Sequence, residues 1–163
     1  MKARLTTLLW LGLALMVLTN CGGGGGGSSD GGANLSVTNR GVYFDFPTAT
    51  AVESDGQLVV VDANLGAVLR VDPVSGNRTV VSDAGTGSGP ILLEPVDIEV
   101  GSDGQLVVVD ESLGAVLRVD PVSGDRTVVS DAGTGSGPIL LEPVGIAIEA
   151  DGRMLIADSH HSL

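Results

Sequence analysis

Asp62-Ala63-Asn64-Leu65-Gly66 and, 48 residues further on, Asp110-Glu111-Ser112-Leu113-Gly114 come closest to a ligand set in this chain. Carboxylate and amide oxygens at alternate positions before a glycine suit a hard cation such as Ca2+ or Mg2+. Asp158 stands another 48 residues along. Asp62, Asn64, Asp110 and Asp158 therefore form the candidate metal set. In the second copy the middle amide becomes the hydroxyl of Ser112, a weaker ligand. A plainer use competes: Asp and Asn side chains accept hydrogen bonds from nearby main-chain amides in turns, and Gly permits the reversal. Turn chemistry is the stronger expectation. No cofactor is expected, and Ca2+ is the ion these residues would hold.

Other chemistry is thinly represented. His160 and His161 are the only histidines and lie three residues or fewer from Leu163. A general base must be held within reach of its proton, and chain ends fray. The Gly-rich stretches Ser82–Pro90 and 130–138 resemble phosphate cradles only superficially. Such a cradle feeds a helix N-terminus, often with Lys, whereas Ile91-Leu92-Leu93 follows the first stretch. No Ser–His–Asp set and no nucleophilic cysteine is available, so no catalytic residue is assigned. Arg70 recurs as Arg118 and Arg78 as Arg126. Surface pairing with the abundant Asp is their expected role, and such pairs contribute little when exposed.

The elements that would position these groups follow from an internal repeat. Residues 54–100 and 102–148 align without a gap and differ only at 63, 64, 77, 97, 99 and 100, leaving 41 of 47 positions identical. Pro47, Pro95 and Pro143 mark corresponding points. In the second unit, Asp97–Val100 reads as a strand, and Ser102-Asp103-Gly104 as a turn. Gln105–Asp110 reads as a strand buried on both faces, because its apolar run is continuous. Ala115–Asp120 alternates apolar with polar residues. Pro121–Asp125 turns the chain into a fourth strand, Arg126–Ser130. No helical period appears. Four antiparallel strands per unit of this length is the arithmetic of a β-propeller blade. The fold expected is all-β: two complete blades (about 47–94 and 95–142) and a partial third (143–163), an incomplete ring. On such blades the link after the second strand and the blade-to-blade link share one rim. That rim would gather the candidate metal set with Asp83, Glu94, Asp97, Glu111, Asp131 and Glu142.

Residues 143–158, Pro-Val-Gly-Ile-Ala-Ile-Glu-Ala-Asp-Gly-Arg-Met-Leu-Ile-Ala-Asp, resemble the opening of an NHL-type blade. Val116–Gly124 is similar to the third strand and turn of the same group. This resemblance to NHL-repeat, gluconolactonase-like and streptogramin-lyase-like propellers covers residues 47–163. It implies the fold more than an activity, since such blades host enzymes and binding modules alike. Rings of this group have about six blades, so the resemblance also implies an array shortened from a longer one.

The N-terminal part has a different character. Met1–Arg4 is basic and Leu5–Thr19 apolar, a secretory signal spanning 1–20. It is shorter than the ~20 apolar residues of a membrane span. Cys21 is the only cysteine. With Leu18-Thr19-Asn20 before it, it resembles the lipobox of bacterial lipoproteins, although Asn20 departs from the usual small residue. Lipidation of Cys21 is expected. Residues 21–33 are a Gly/Ser-rich flexible tether, and 34–46 a non-repeating lead-in. Gly22 rather than Asp after the cysteine implies the outer membrane of a Gram-negative bacterium.

The formal charge of −12, with 20 acidic against 8 basic side chains, opposes nucleic-acid binding. The repeat also lacks the aromatic residues on which bases or sugars stack. The expectation is a lipid-anchored envelope protein, non-enzymatic, serving interaction or scaffolding. Exposed blade faces offer self-association. This reading is motivated by repeats too alike to form an asymmetric site. The alternative is a fragment of a metal-dependent propeller hydrolase or lyase.

Overall fold

The computed structural model describes residues 42–160. The signal segment, Cys21, the tether, residues 34–41 of the lead-in and His161 lie outside the described residues. Ten strands follow one another, with no helix among the described residues. They are β1 (Pro47–Val52), β2 (Leu58–Asp62), β3 (Ala67–Val71), β4 (Arg78–Ser82), β5 (Pro95–Val100), β6 (Leu106–Asp110), β7 (Ala115–Val119), β8 (Arg126–Ser130), β9 (Pro143–Ile148) and β10 (Met154–Asp158). They build two four-stranded sheets, β1-β2-β3-β4 and β5-β6-β7-β8, and a two-stranded sheet, β9-β10. All neighbouring strands run antiparallel. The expected blades are present, two complete and one with two strands.

Register repeats with the sequence. Val60 faces Leu69 as Val108 faces Leu117. The first strand pair of each complete blade shifts register at one place, between Pro47 and Ala49 and between Pro95 and Asp97. Turns form where Asp-Gly predicts them. Gly104 adopts φ 79, in the left-handed region that only glycine enters at low cost. Asp103 Oδ1 accepts the Gln105 amide at 3.1 Å beside it.

Packing follows the two-residue period of a strand. Leu106, Val108, Ala115, Leu117 and Val119 of blade 2 join Val59, Val61, Val68, Val81 and Leu92 in one core shared with blade 1. Val107, Val109 and Val116 point the other way and meet Ile146, with Val129, Ile148 and Ile156 around them. Every residue of β6 is therefore buried. In the chemically identical β2, Leu58 and Val60 remain half-buried. Full burial of a Val or Leu side chain is worth about 1.5–3 kcal/mol. A lone blade would forfeit that on both faces, so the blades depend on one another.

The structural unit begins earlier than the sequence repeat. The Ala63 amide donates to Phe46 O, the Glu111 amide to Glu94 O and the Ser159 amide to Glu142 O. Residues 42–46 thus occupy the place of 90–94 and 138–142, although their side chains differ.

Candidate functional site

The second strand of each blade ends on an aspartate, and all three hold the incoming link. Asp62 Oδ2 accepts the Asp45 amide at 2.7 Å, while Oδ1 accepts those of Phe46 and Leu65 at 3.0 and 3.1 Å. Asp110 repeats this with Leu93, Glu94 and Leu113. Asp158 does so with Leu141, Glu142 and His160. Asp62 and Asp110 are fully buried. The amides, Leu141 first, hold the Asp158 carboxyl below its ordinary range. Oxygens already accepting two or three N–H groups have their lone pairs aimed at the main chain. Asn64 is exposed beside Asp62 and adds no donor to it. Among the described residues no group of three or more His, Cys, Asp or Glu is arranged around a common point. Asp62, Asp110 and Asp158 thus show the turn chemistry weighed against a Ca2+ site, each accepting main-chain amides of its own link.

The arginines depart from the expected surface pairing. Arg126, on β8, is only 4% exposed. Its Nε donates to Pro90 O at 2.5 Å, and its Nη1 to Asp83 O and Thr86 O, both at 2.9 Å, and to Ser82 Oγ. All four acceptors belong to blade 1 or to the link leaving it. The Arg126 amide donates to Ser88 O at 2.7 Å, and Ser82 Oγ donates to Gly124 O at 2.7 Å. Ser88 donates through its amide and its hydroxyl to Asp125 Oδ1, which keeps that carboxyl below its usual range. Arg70 clamps Glu53 through two nitrogens and reaches Pro121 O of blade 2 at 3.1 Å. The blade 1–blade 2 joint is thus a polar seam outside a Val/Leu core. Arg118 and Arg153 do pair with exposed carboxylates as expected, those of Asp103 and Asp151.

Glycines let the backbones of this joint touch. A Cβ on Gly87 would stand 2.0 Å from Gly124 O, and one on Gly124 2.2 Å from Val81 O. The Gly-rich link is therefore a joint filler. The sequence signal available beforehand was the recurrence of Arg78 as Arg126 in an acidic chain. Their neighbourhoods differ only in Asn77 against Asp125 and give little sign that the second reaches across to the preceding blade. Arg78 donates to Val42 O at 3.1 Å and lies over the Phe44 ring at 4.5 Å.

The rim after the second strand differs from blade to blade. Phe46, Ala63 and Asn64 line a shallow cleft with Leu93 and Glu94. In blade 2, Ser112 Oγ donates to Glu94 Oε2 at 2.7 Å. In blade 3, Ser159 Oγ donates to Glu142 Oε2 at 3.1 Å, and His160 Nδ1 lies 3.6 Å from Glu142 Oε1. The three rims are thus less alike than the repeat sequence. The remaining rim acids are dispersed. Asp97 Oδ2 accepts the Ile146 amide of blade 3 at 2.8 Å. Asp83 and Asp131 accept the amides of Gly85 and Gly133 in their own links.

No protein-family model matches the sequence, and no curated protein matches it. Solved structures do resemble its fold. A gluconolactonase from Xanthomonas campestris superposes with a TM-score of 0.59 at 21% identity, covering 71% of this chain and 35% of that one. Virginiamycin B lyase from Staphylococcus aureus gives 0.53 at 14% identity, covering 69% and 34%. A protein of unknown function from Bacteroides thetaiotaomicron gives 0.54 at 20% identity, covering 69% and 30%. The chain spans about a third of the length of these proteins. At such identities the likeness establishes propeller-type blades.

Proposed function

We propose that this protein is a non-enzymatic, lipid-anchored interaction module of the bacterial envelope, built from part of a propeller. One observation carries the reading. The recurring polar residues, Asp62, Asp110, Asp158 and Arg126, bind main-chain groups of links and neighbouring blades. They serve stacking, not the gathering of a substrate. Anchoring rests on the sequence of residues 1–21: a signal segment, one cysteine and a flexible tether, with two or more acyl chains sufficient for stable attachment. Replacing Cys21→Ala should move the protein from the membrane to the soluble fraction, and unchanged fractionation contradicts the anchor. Titration with millimolar CaCl2 in a calorimeter should give no saturable heat.

A second reading has its own support. The neighbours include a gluconolactonase and a lyase, and His160 faces Glu142 on the rim. On that reading the chain is part of a metal-dependent propeller hydrolase or lyase. Saturable Ca2+ binding abolished by Asp158→Ala would favour it over the interaction module.

A further inference from the structure

The rim cleft at the joint of the two complete blades holds a carboxylate with no arginine beside it. We propose that this cleft binds the ammonium group of a lysine side chain carried by a partner protein. The proposal names what the interaction module above would recognise and rests on that reading.

The cleft is lined by Phe46, Ala63, Asn64, Leu93 and Glu94 and measures about 450 Å3, inside the ~300–1,000 Å3 range of small-ligand sites. All five residues belong to blade 1, its lead-in or the link into blade 2. Two of the six differences between the sequence units, at 63 and 64, fall here. The corresponding residues of the second unit are Glu94, Glu111, Ser112, Leu141 and Glu142. Three carboxylates there are thus replaced here by one carboxylate, an aromatic ring and a methyl group, with an amide in place of the hydroxyl.

Glu94 is exposed, and Ser112 Oγ donates to its Oε2. Its Oε1 has no hydrogen-bond partner among the described residues. The counterpart Glu142 shows what that second oxygen can take: Ser159 Oγ donates to Oε2, and His160 Nδ1 lies 3.6 Å from Oε1. The five arginines among the described residues are engaged elsewhere. Arg70 pairs with Glu53, Arg118 with Asp103 and Arg153 with Asp151, Arg126 fills the seam, and Arg78 serves Val42 O and the Phe44 ring. A chain of charge −12 also draws a basic partner toward it.

An ammonium brings three N–H donors and no acceptor. Glu94 Oε1 and the Asn64 carbonyl supply acceptors, and the exposed Phe46 ring offers a face to the charge. The methylene stem would lie along Ala63 and Leu93, as long basic side chains do on apolar surface. A guanidinium suits the cleft less, because its planar fork seeks both carboxylate oxygens and Ser112 already engages one. The source follows from what flanks the cleft. Leu65, Ile91 and Leu93 are exposed, and the turn carrying Leu65 lies against the link, since a Cβ on Gly66 would stand 2.5 Å from Leu92 O. A free amine leaves that apolar surface bare, whereas the neighbours of a lysine in a polypeptide cover it.

Acetyl-Leu-Lys-Leu-amide, titrated into the isotope-labelled full-length chain in detergent micelles, tests this by nuclear magnetic resonance. Saturable shifts of the Asn64 side-chain amide and of the Leu93 and Glu94 main-chain amides are expected. Affinity should fall at least about fivefold when the lysine is acetylated and when the chain carries Glu94→Gln, since hydrogen bonds to a charged group are lost. The arginine peptide and n-butylammonium chloride should each bind at least about threefold more weakly than the lysine peptide. Asn64→Ser, which installs the residue of the second unit, should weaken binding without touching the charge. No saturable shift at these residues, equal binding of the acetylated peptide, or unchanged affinity in both variants overturns the site. Equal binding by n-butylammonium overturns the partner protein as the source, and equal binding by the arginine peptide overturns the choice of lysine. A chain that binds neither this peptide nor Ca2+ loses this site alone, whereas saturable Ca2+ binding counts against the interaction reading itself.

Discussion

Arg126→Ala is expected to destabilise this protein strongly, and the repeat provides its control. The side chain is 4% exposed and satisfies three carbonyl oxygens and one hydroxyl from the preceding blade and link. Removing it strands those acceptors in the seam and opens a cavity beside them. An unsatisfied buried group costs about 1–3 kcal/mol. The groups form one network, so their losses do not add, and the total is placed at about 3–5 kcal/mol. Arg78→Ala removes the same side chain from a context that differs nearby only by Asn77 in place of Asp125. It loses one hydrogen bond to Val42 O and the Phe44 contact, together about 1–1.5 kcal/mol at a half-buried site. Urea unfolding followed by far-ultraviolet circular dichroism measures both. At about 3–5 °C per kcal/mol for a domain of this size, thermal melts should separate the two variants by roughly 5 °C or more. Arg126→Lys, which keeps a charge but not the planar fork, should fall between wild type and Arg126→Ala. Equal destabilisation by Arg126→Ala and Arg78→Ala would refute the claim that stability resides in the joint.

Three further outcomes are expected. Asp110→Ala should cost about 2–4 kcal/mol in urea unfolding, because three amides lose the fully buried carboxylate that accepts them, while Asp110→Asn should cost less. Gly124→Ala should destabilise far more than Gly76→Ala. Both glycines have positive φ, 75 and 71, but only Gly124 has a neighbouring carbonyl in the space of the added methyl; equal melting temperatures would contradict that packing. Main-chain amides hold the carboxyls of Asp72, Asp120, Asp131 and Asp158 below their ordinary value of 3.8, as Ser88 does for Asp125. These groups bind fewer protons folded than unfolded, so their stabilisation is complete above that value and is lost as pH falls through the lowered folded values. The urea midpoint should therefore be flat from pH 7 to about 5 and decline below about 4, and a midpoint that rises on acidification would contradict the hydrogen bonding.

Much of the fold was legible because it is written locally. The Asp-Gly turns, the alternation in β7 and the continuous apolar run of β6 each state a strand or reversal within a few residues, and the repeat says each twice. The joint is not local. Arg126 meets its acceptors 36 to 44 positions earlier in the chain, and the one nearby difference from Arg78 is Asp125 in place of Asn77. The start of the unit was hidden for another reason. Val42–Phe46 shares with 90–94 a main-chain role, amides presented to Asp62 as others are to Asp110, and main-chain roles leave little trace in residue identity. The choice between a turn role and a metal role was open on the same ground, because a carboxylate that binds amides and one that binds a cation look alike in sequence. The rim was visible only in part: positions 63 and 64 differ from 111 and 112, but the meetings of Ser112 with Glu94 and of Ser159 with Glu142 depend on the link being drawn in by Asp110 and Asp158.

The central claim is that each unit is a four-stranded blade buried by its neighbours. Residue-resolved amide hydrogen exchange tests it with an internal standard, since Leu58–Asp62 and Leu106–Asp110 have the same sequence. The account predicts exchange at least about tenfold slower in Leu106–Asp110, covered on both faces, than in Leu58–Asp62, with Met154–Asp158 the fastest of the three. Equal rates in all three strands, or fastest exchange in Leu106–Asp110, would contradict it.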